Sequence, residues 1–208
     1  GQIFGFIQRQ NRKFEIIIVD DGSSDSTSKL LLELERIFPI KVFAHKTNLG
    51  KGAAIKTGVN QAEGELILFT DIDLSVSIEY VNYYLDVLTS ETDIVIGSRN
   101  IPGAKVLIRQ SFLREFLGES FIHLTNLILG VGVSDFTCGF KLFRKKAALV
   151  IFNKLLINRW AFDAETLYLA RKYSFNIKEV PVDWQHREGS KVRFPMDLIE
   201  TLISLFNI

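Results

Sequence analysis

The sequence predicts an α/β fold, a mainly parallel sheet flanked by helices in one domain over residues 1–208. Two observations predict it. Strand-like apolar runs alternate with amphipathic helix-like stretches through the first half of the chain. Polar and acidic residues also stand just after those runs: Asp20-Asp21, Asp71 and Asp73, and Ser98-Arg99. In open parallel sheets, ligands bind beyond the carboxyl ends of the strands, which is where these residues fall.

The elements follow in order. Glu15 to Val19 reads as a strand. Ser24-Asp25-Ser26-Thr27 offers N-cap candidates for a helix reaching Phe38, with Leu30, Leu31, Leu34 and Ile37 at helical spacing and Pro39 as its stop. Ile40 to His45 is a second strand, and Gly50 to Gln61 a helix opened by glycines. Leu66 to Thr70 is a strand, Ile78 to Leu88 a helix and Asp93 to Gly97 a strand. Arg109 to Leu129 reads as one long helix. It is apolar at Leu113, Phe116, Leu117, Phe121, Leu124, Leu127 and Ile128, and carries a narrow polar stripe at Glu115, Glu119, His123 and Asn126. A short strand at Gly139 to Phe143, helices at Lys145 to Phe152 and Asp163 to Tyr173, a strand at Ile177 to Val182 and an amphipathic helix at Asp197 to Phe206 complete the prediction.

Composition narrows the function classes. A net charge of +1 provides no global field for nucleic acid. Seventeen phenylalanines and a mean hydropathy of +0.17 point to an apolar partner surface. A single cysteine, Cys138, excludes an intrachain disulfide and fits a reducing compartment; it reads as a small buried residue. No apolar run reaches the roughly 18 residues of a membrane-spanning helix, and the first residues carry no recognisable signal peptide. Without an initiator Met, the chain reads as a fragment or a processed product. His45, His123 and His186 share no zinc-ligand spacing.

The chemistry-bearing residues each admit a functional and an ordinary reading. Asp71 and Asp73 are two apart at a strand end, so strand alternation puts both carboxylates on one side. Two hard oxygen donors there suit a divalent cation that keeps waters and also holds a phosphate; the ordinary reading is a turn rich in acids. Asp20 and Asp21 can accept from N–H and hydroxyl donors of a ligand, while Asp-Gly-Ser equally forms a turn and helix cap. Gly50-Lys51-Gly52 opens a helix whose N–H groups favour anions, with Lys51 either near a diphosphate or simply on the surface. Arg99, Arg109, Arg114, Lys191 and Arg193 are candidate phosphate contacts or solvated charges. Asp163 and Glu165 are candidates to accept from a ligand hydroxyl, or serve as dipole partners at a helix start. Trp160 and Phe162 read as core or pocket wall.

The segments EIIIVDDGSSDST, NLGKGAAIKTGV, GELILFTDIDLS, IVIGSRN, DFTCGFKLF, RWAFDAETLYLA and VPVDWQHREGSKV occur in this order. On them the chain resembles the inverting GT-A glycosyltransferases that move a sugar from a nucleotide to a polyprenyl phosphate, most of all the dolichyl-phosphate β-glucosyltransferases. The resemblance implies a Rossmann-like GT-A fold. It implies Mg²⁺ or Mn²⁺ at Asp71 and Asp73, and nucleotide contacts from Asp20, Asp21, Lys51 and Asp71. It implies catalytic roles for Asp73, Arg99, Asp163 and Lys191, and acceptor-phosphate contacts from Arg109, Arg114 and Arg193. The implied partners are a nucleotide-sugar donor, with UDP-glucose ahead of GDP-mannose, a dolichyl or other polyprenyl phosphate, and the cytoplasmic face of a membrane. That membrane is the endoplasmic reticulum in a eukaryote and the plasma membrane in a prokaryote. Arg109 to Leu129 is the segment read as lying at the bilayer surface or packing on the sheet.

Two departures accompany the resemblance. The P-x-Y-N-E strand and turn that usually open the family are lacking, and the first residues resemble the end of the helix that follows that turn. Thr137 stands where Gln is frequent. The other readings are a nucleotide-binding module without turnover and a nucleotidyltransferase; the lack of a Gly-rich basic loop near the start weighs against the latter.

Overall fold

The computed structural model describes residues 1–108, 112–186, 196–205 and 208, with the side chains of 112–115 and 196–199 outside that description. In chain order the elements are α1 (Gln2–Gln8), β1 (Ile16–Asp20), α2 (Thr27–Ile37), β2 (Ile40–Ala44), α3 (Lys51–Gln61), β3 (Leu66–Thr70), α4 (Tyr80–Val87) and β4 (Ile94–Ser98). They continue as β5 (Lys105–Ile108), α5 (Phe112–Leu129), β6 (Phe140–Arg144), α6 (Lys145–Lys154), α7 (Phe162–Lys172), β7 (Ile177–Pro181), β8 (Asp183–Gln185) and α8 (Met196–Leu205). To the predicted order the structure adds the helix α1 at the start and, later, two short strands, β5 and β8. These pair in parallel with each other at the margin of the fold. They escaped the sequence reading because a few residues of mixed polarity carry no period.

The central sheet has the order β3-β6-β4-β7. β4 and β7 pair in parallel, whereas β6 runs antiparallel to both β3 and β4. β3, β4 and β7 therefore share one direction, with β6 reversed among them. Its direction follows from its entry point. The chain leaves β4 at Ser98 and re-enters the sheet at Phe140, opposite Thr70 at the end of β3, so a strand starting there must run back. The three strands that end at this edge and the one that begins at it bring four sets of side chains together.

Strand alternation sorts the core into two clusters. Ile94, Ile96 and Phe143 face a cluster with Ile151, Phe152, Phe162 and Leu167 of α6 and α7 and their connections. Val95, Phe140 and Leu142 face a second cluster with Phe6 of α1 and Val81 and Tyr84 of α4. The alternation puts Lys141, between Phe140 and Leu142, on the α6–α7 side. It is fully buried there.

β1 and β2 form a separate parallel pair. α3 packs on β1 and also touches α6 and α7, so one helical layer bridges the two sheets. Among the described residues no strand precedes Ile16, and β1 and β3 each pair on one side only. The apolar positions of α2 are not all interior: Leu31 is buried, while Leu30 and Ile37 are exposed. Helical spacing finds the face, but a helix on a two-stranded sheet has little to bury it against.

Candidate active site

Asp71 and Asp73 do not lie on the strand. β3 ends at Thr70, and Asp71 to Leu74 is a turn closed by Leu74 N–H donating to the Asp71 carbonyl at 3.1 Å. Leu74 has φ +50, a left-handed conformation that a leucine rarely takes. The two carboxylates therefore approach one region through a turn, not through strand alternation. The Asp71 N–H donates to the Gly139 carbonyl at 3.1 Å. Gly139 is a glycine for a spatial reason, because a Cβ on it would fall inside the Asp71 carboxylate. Asp73 Oδ1 accepts from the Ser75 N–H and hydroxyl, both at 2.9 Å.

Facing Asp71 is Lys51, the first residue of α3, with Nζ 2.6 Å from Asp71 Oδ1. Burial alone would push the Lys51 ammonium down; Asp71, then Asp163, outweigh it and hold it above the ordinary lysine value. The backbone beneath Lys51 is fixed from two sides. Gly50 N–H donates to Asp21 Oδ2 at 2.8 Å and Leu49 N–H to Asp21 Oδ1 at 2.9 Å. A Cβ on Gly52 would press on Phe162, and Ala53 N–H donates to the Asn158 carbonyl at 3.2 Å. The glycines thus let α3 approach the protein's own 157–159 segment.

Asp20 and Asp21 are both engaged in local structure. Asp20 is buried and accepts from the Ser23 N–H at 3.0 Å and from the Ser28 hydroxyl, which hold its carboxyl below the usual range. Asp21 also meets His45 Nδ1 at 2.7 Å, and His45 Nε2 reaches the Thr57 hydroxyl at 2.9 Å.

Arg99 follows β4. Its Nε and Nη2 donate to Asp135 Oδ2 and Oδ1 at 2.7 and 2.9 Å, and Nη2 also donates to the Thr137 hydroxyl at 2.7 Å. The guanidinium lies 5.2 Å from the centre of the Trp184 ring. Burial would raise the Asp135 carboxyl, but Arg99 beside it holds it below the ordinary carboxylate range. Arg99 is correspondingly raised.

Asp163 lies in the first turn of α7, buried, in an ion pair with Lys141, whose Nζ also donates to the Cys138 carbonyl at 2.8 Å. Burial pushes the Asp163 carboxyl up against the pull of Lys141 and Lys51. Glu165 instead serves the backbone. Its carboxylate accepts from the Leu156 and Ile157 N–H groups and so braces the loop before α7. Asp71, Lys51, Asp163 and Lys141 form a row of alternating charge running from the surface into the core.

Lys191, Arg193 and Arg109 lie outside the described residues, as does the side chain of Arg114. Sequence reasoning passed over Lys141, Asp135, Gly139 and Trp184. Lys141 had a usable signal, a cation within the apolar run Gly139-Phe140-Lys141-Leu142-Phe143, where a buried charge needs a partner. Cys138 is buried as expected, its thiol pushed up to about 12 by burial. Asn126, predicted in the polar stripe of α5, instead caps the following loop through the Gly132 and Val133 N–H groups.

The donor set fits a divalent cation that keeps other ligands. Asp71 and Asp73 both act on Lys51, and no cluster of three or more His, Cys, Asp or Glu is present among the described residues, so water or ligand oxygens would complete the shell.

Opposite charges gather here at the carboxyl ends of the parallel strands, where open α/β sheets bind their ligands. The chain belongs to glycosyl transferase family 2, whose family model matches residues 5–152. It is 37% identical over 200 residues to a dolichyl-phosphate beta-glucosyltransferase of Dictyostelium discoideum, covering 90% of this chain and 61% of that protein. It is 35% identical to the Homo sapiens protein of the same name, covering 86% and 58%. The chain therefore spans about three-fifths of the length of these relatives. Among solved structures it is similar to glucosyl-3-phosphoglycerate synthase from Mycobacterium tuberculosis, with TM-score 0.63 and 18% identity over 93% of this chain and 70% of the other. The complex of that synthase with Mn²⁺ and UDP-glucose aligns with TM-score 0.60 and 18% identity, covering 92% and 68%. The fold is GT-A, with its parallel-dominated sheet interrupted by β6.

Proposed function

We propose that the chain is the catalytic part of an inverting glucosyltransferase that moves glucose from UDP-glucose to dolichyl or another polyprenyl phosphate with Mg²⁺ or Mn²⁺. The observation that carries this is the pairing of Lys51 with Asp71, with Asp73 also acting on Lys51, at the sheet edge where Arg99 follows β4. The names of the similar glucosyltransferases and the UDP-glucose complex of the structural neighbour support it.

Asp71 and Asp73 would hold the cation, which when bound neutralises charge growing on the leaving diphosphate. Asp20 and Asp21 shape the loop at the base and ribose, and Lys51 faces the diphosphate. Arg99 is gripped by Asp135 and Thr137 on one edge, and its remaining N–H groups are available for a phosphate. The nucleophile is a lipid phosphate oxygen, already anionic at neutral pH, so no strong general base is required. Asp163 then orients an acceptor or sugar hydroxyl, and catalysis rests on positioning and charge stabilisation. In-line displacement inverts an α-linked donor to a β-linked product. Lys191, Arg193, Arg109 and Arg114 remain proposed phosphate contacts.

A lipid acceptor requires a bilayer surface. α5 buries Phe121, Ile122 and Thr125 and leaves Phe116, Leu124 and Leu127 exposed, the last at 83%. Two apolar sides on one helix suit a position between the core and a lipid interface. No helix among the described residues is long and apolar enough to cross a membrane. We assign this surface to the cytoplasmic face, of the endoplasmic reticulum in a eukaryote or of the plasma membrane in a prokaryote.

The test is formation of a glucosyl lipid from radiolabelled UDP-glucose and dolichyl phosphate with Mn²⁺, with GDP-mannose as a parallel donor. Product is expected with UDP-glucose and lost with Asp73→Ala or a chelator. Unchanged product in either case overturns the reading, and mannosyl lipid alone reassigns the donor.

A further inference from the structure

Lys51 and Asp71 stand in a relation that the proposed reaction does not itself require. The Lys51 ammonium is 2.6 Å from Asp71 Oδ1, and its side chain is 28% exposed against 37% for Asp71. A divalent cation bound by Asp71 would sit about 2.1 Å from a carboxylate oxygen. An ammonium in contact with the same carboxylate repels that ion and hinders its approach. We propose that Lys51 is the resident counter-ion of the metal carboxylate. It neutralises Asp71 while no metal is bound, and must give Asp71 up for a divalent cation to enter. This rests on the reading of Asp71 and Asp73 as the metal carboxylates.

The surroundings equip Lys51 for such an exchange. Its backbone is clamped by Asp21 through Gly50 and by Asn158 through Ala53, so only the side chain has to move. Lysine is a point charge on a flexible four-carbon stem, able to change partners where an arginine fork would stay. A second carboxylate, Asp163, acts on the same ammonium and offers an alternative partner. Asp73, also felt by Lys51, remains for the incoming ion. A nucleoside diphosphate would supply further negative charge to draw the ammonium off Asp71. Metal and diphosphate should therefore bind cooperatively, each weakly alone.

The experiment is titration of Mn²⁺ by electron paramagnetic resonance and calorimetry, with and without UDP. It uses the wild type, Lys51→Met, Lys51→Arg and Asp71→Asn, each checked for folding by thermal unfolding without metal. Lys51→Met is expected to bind Mn²⁺ alone roughly five- to tenfold more tightly than the wild type, the strength of one half-exposed ion pair. The enhancement of Mn²⁺ binding by UDP should shrink by a similar factor. Lys51→Arg, holding Asp71 through a fork, should bind Mn²⁺ alone more weakly than the wild type. Unchanged or weaker Mn²⁺ binding in Lys51→Met overturns the proposal. So does a Lys51→Arg protein indistinguishable from the wild type, since bulk charge alone would then explain the gain. If Asp71→Asn binds Mn²⁺ as the wild type does, the metal reading of Asp71 fails, and the proposal with it. Lys51→Gln replaces Lys51→Met should the latter not fold.

Discussion

Arg99 and Asp135 meet through two parallel hydrogen bonds, Nε to Oδ2 at 2.7 Å and Nη2 to Oδ1 at 2.9 Å. Asp135 is fully buried and also accepts from the Arg99, Thr137 and Cys138 N–H groups. The carboxylate ties the end of β4 to the start of β6 and aims the guanidinium. Asp135→Asn should cost about 3–5 kcal/mol, because Arg99 keeps its charge and loses its partner. Urea unfolding measures the loss, and Asp135→Glu should recover part of it.

The same residue predicts an acid response. Arg99 holds the folded-state pKa of Asp135 below its unfolded value. Its stabilisation is complete above the ordinary carboxylate range and is lost as pH falls through that range toward the folded value. Asp163, raised by burial, acts oppositely: it favours the folded state at low pH, and that contribution fades as pH rises past its unfolded value. Melting temperature followed from about pH 7 to pH 3 should fall less steeply in Asp135→Asn and more steeply in Asp163→Asn.

Lys141 is fully buried against Asp163. Lys141→Met should destabilise by about 3 kcal/mol or more, since it strands a carboxylate in the core. Lys141→Met combined with Asp163→Asn should lose less than the two single changes together, with a coupling of about 1–3 kcal/mol in a denaturation cycle.

Gly139→Ala should disturb the site more than the fold. The added methyl displaces the Asp71 carboxylate, at a stability cost of about 1–3 kcal/mol. Mn²⁺ affinity in the presence of UDP should fall at least tenfold. A variant that binds Mn²⁺ normally would show that Asp71 adjusts without consequence.

Leu127→Glu probes the proposed lipid face of α5. At so exposed a position, stability should change by no more than about 0.5 kcal/mol. Co-sedimentation with anionic phospholipid vesicles should drop, whereas Glu91→Gln, far along the chain in the turn after α4, should leave it unchanged.

The sequence made the strands and helices legible wherever an apolar run or a 3.6-residue period extended far enough, as in β3 and α7. It made the acids at strand ends legible as a group. It offered a turn at Asp71 and Asp73 only as the alternative to a strand end, because the choice depends on where pairing with β6 stops. Nor could it separate Asp163 from Glu165: both suit a helix start, and only the placement of the 156–157 amides shows Glu165 to be a loop brace. Asp135 and Trp184 escaped because their importance comes from Arg99, which meets them from distant parts of the chain.

The unpaired sides of β1 and β3 carry a consequence for handling the protein. Ile16-Ile17-Ile18-Val19 and Leu66-Ile67-Leu68-Phe69 have the continuous apolar character of interior strands, yet each leaves one row of backbone donors and acceptors without a strand partner among the described residues. Such rows are templates for foreign strands. Where such a row is open in solution, self-association along it is expected, growing with concentration and little relieved by salt. An added extended peptide able to fill one margin should act as a solubiliser.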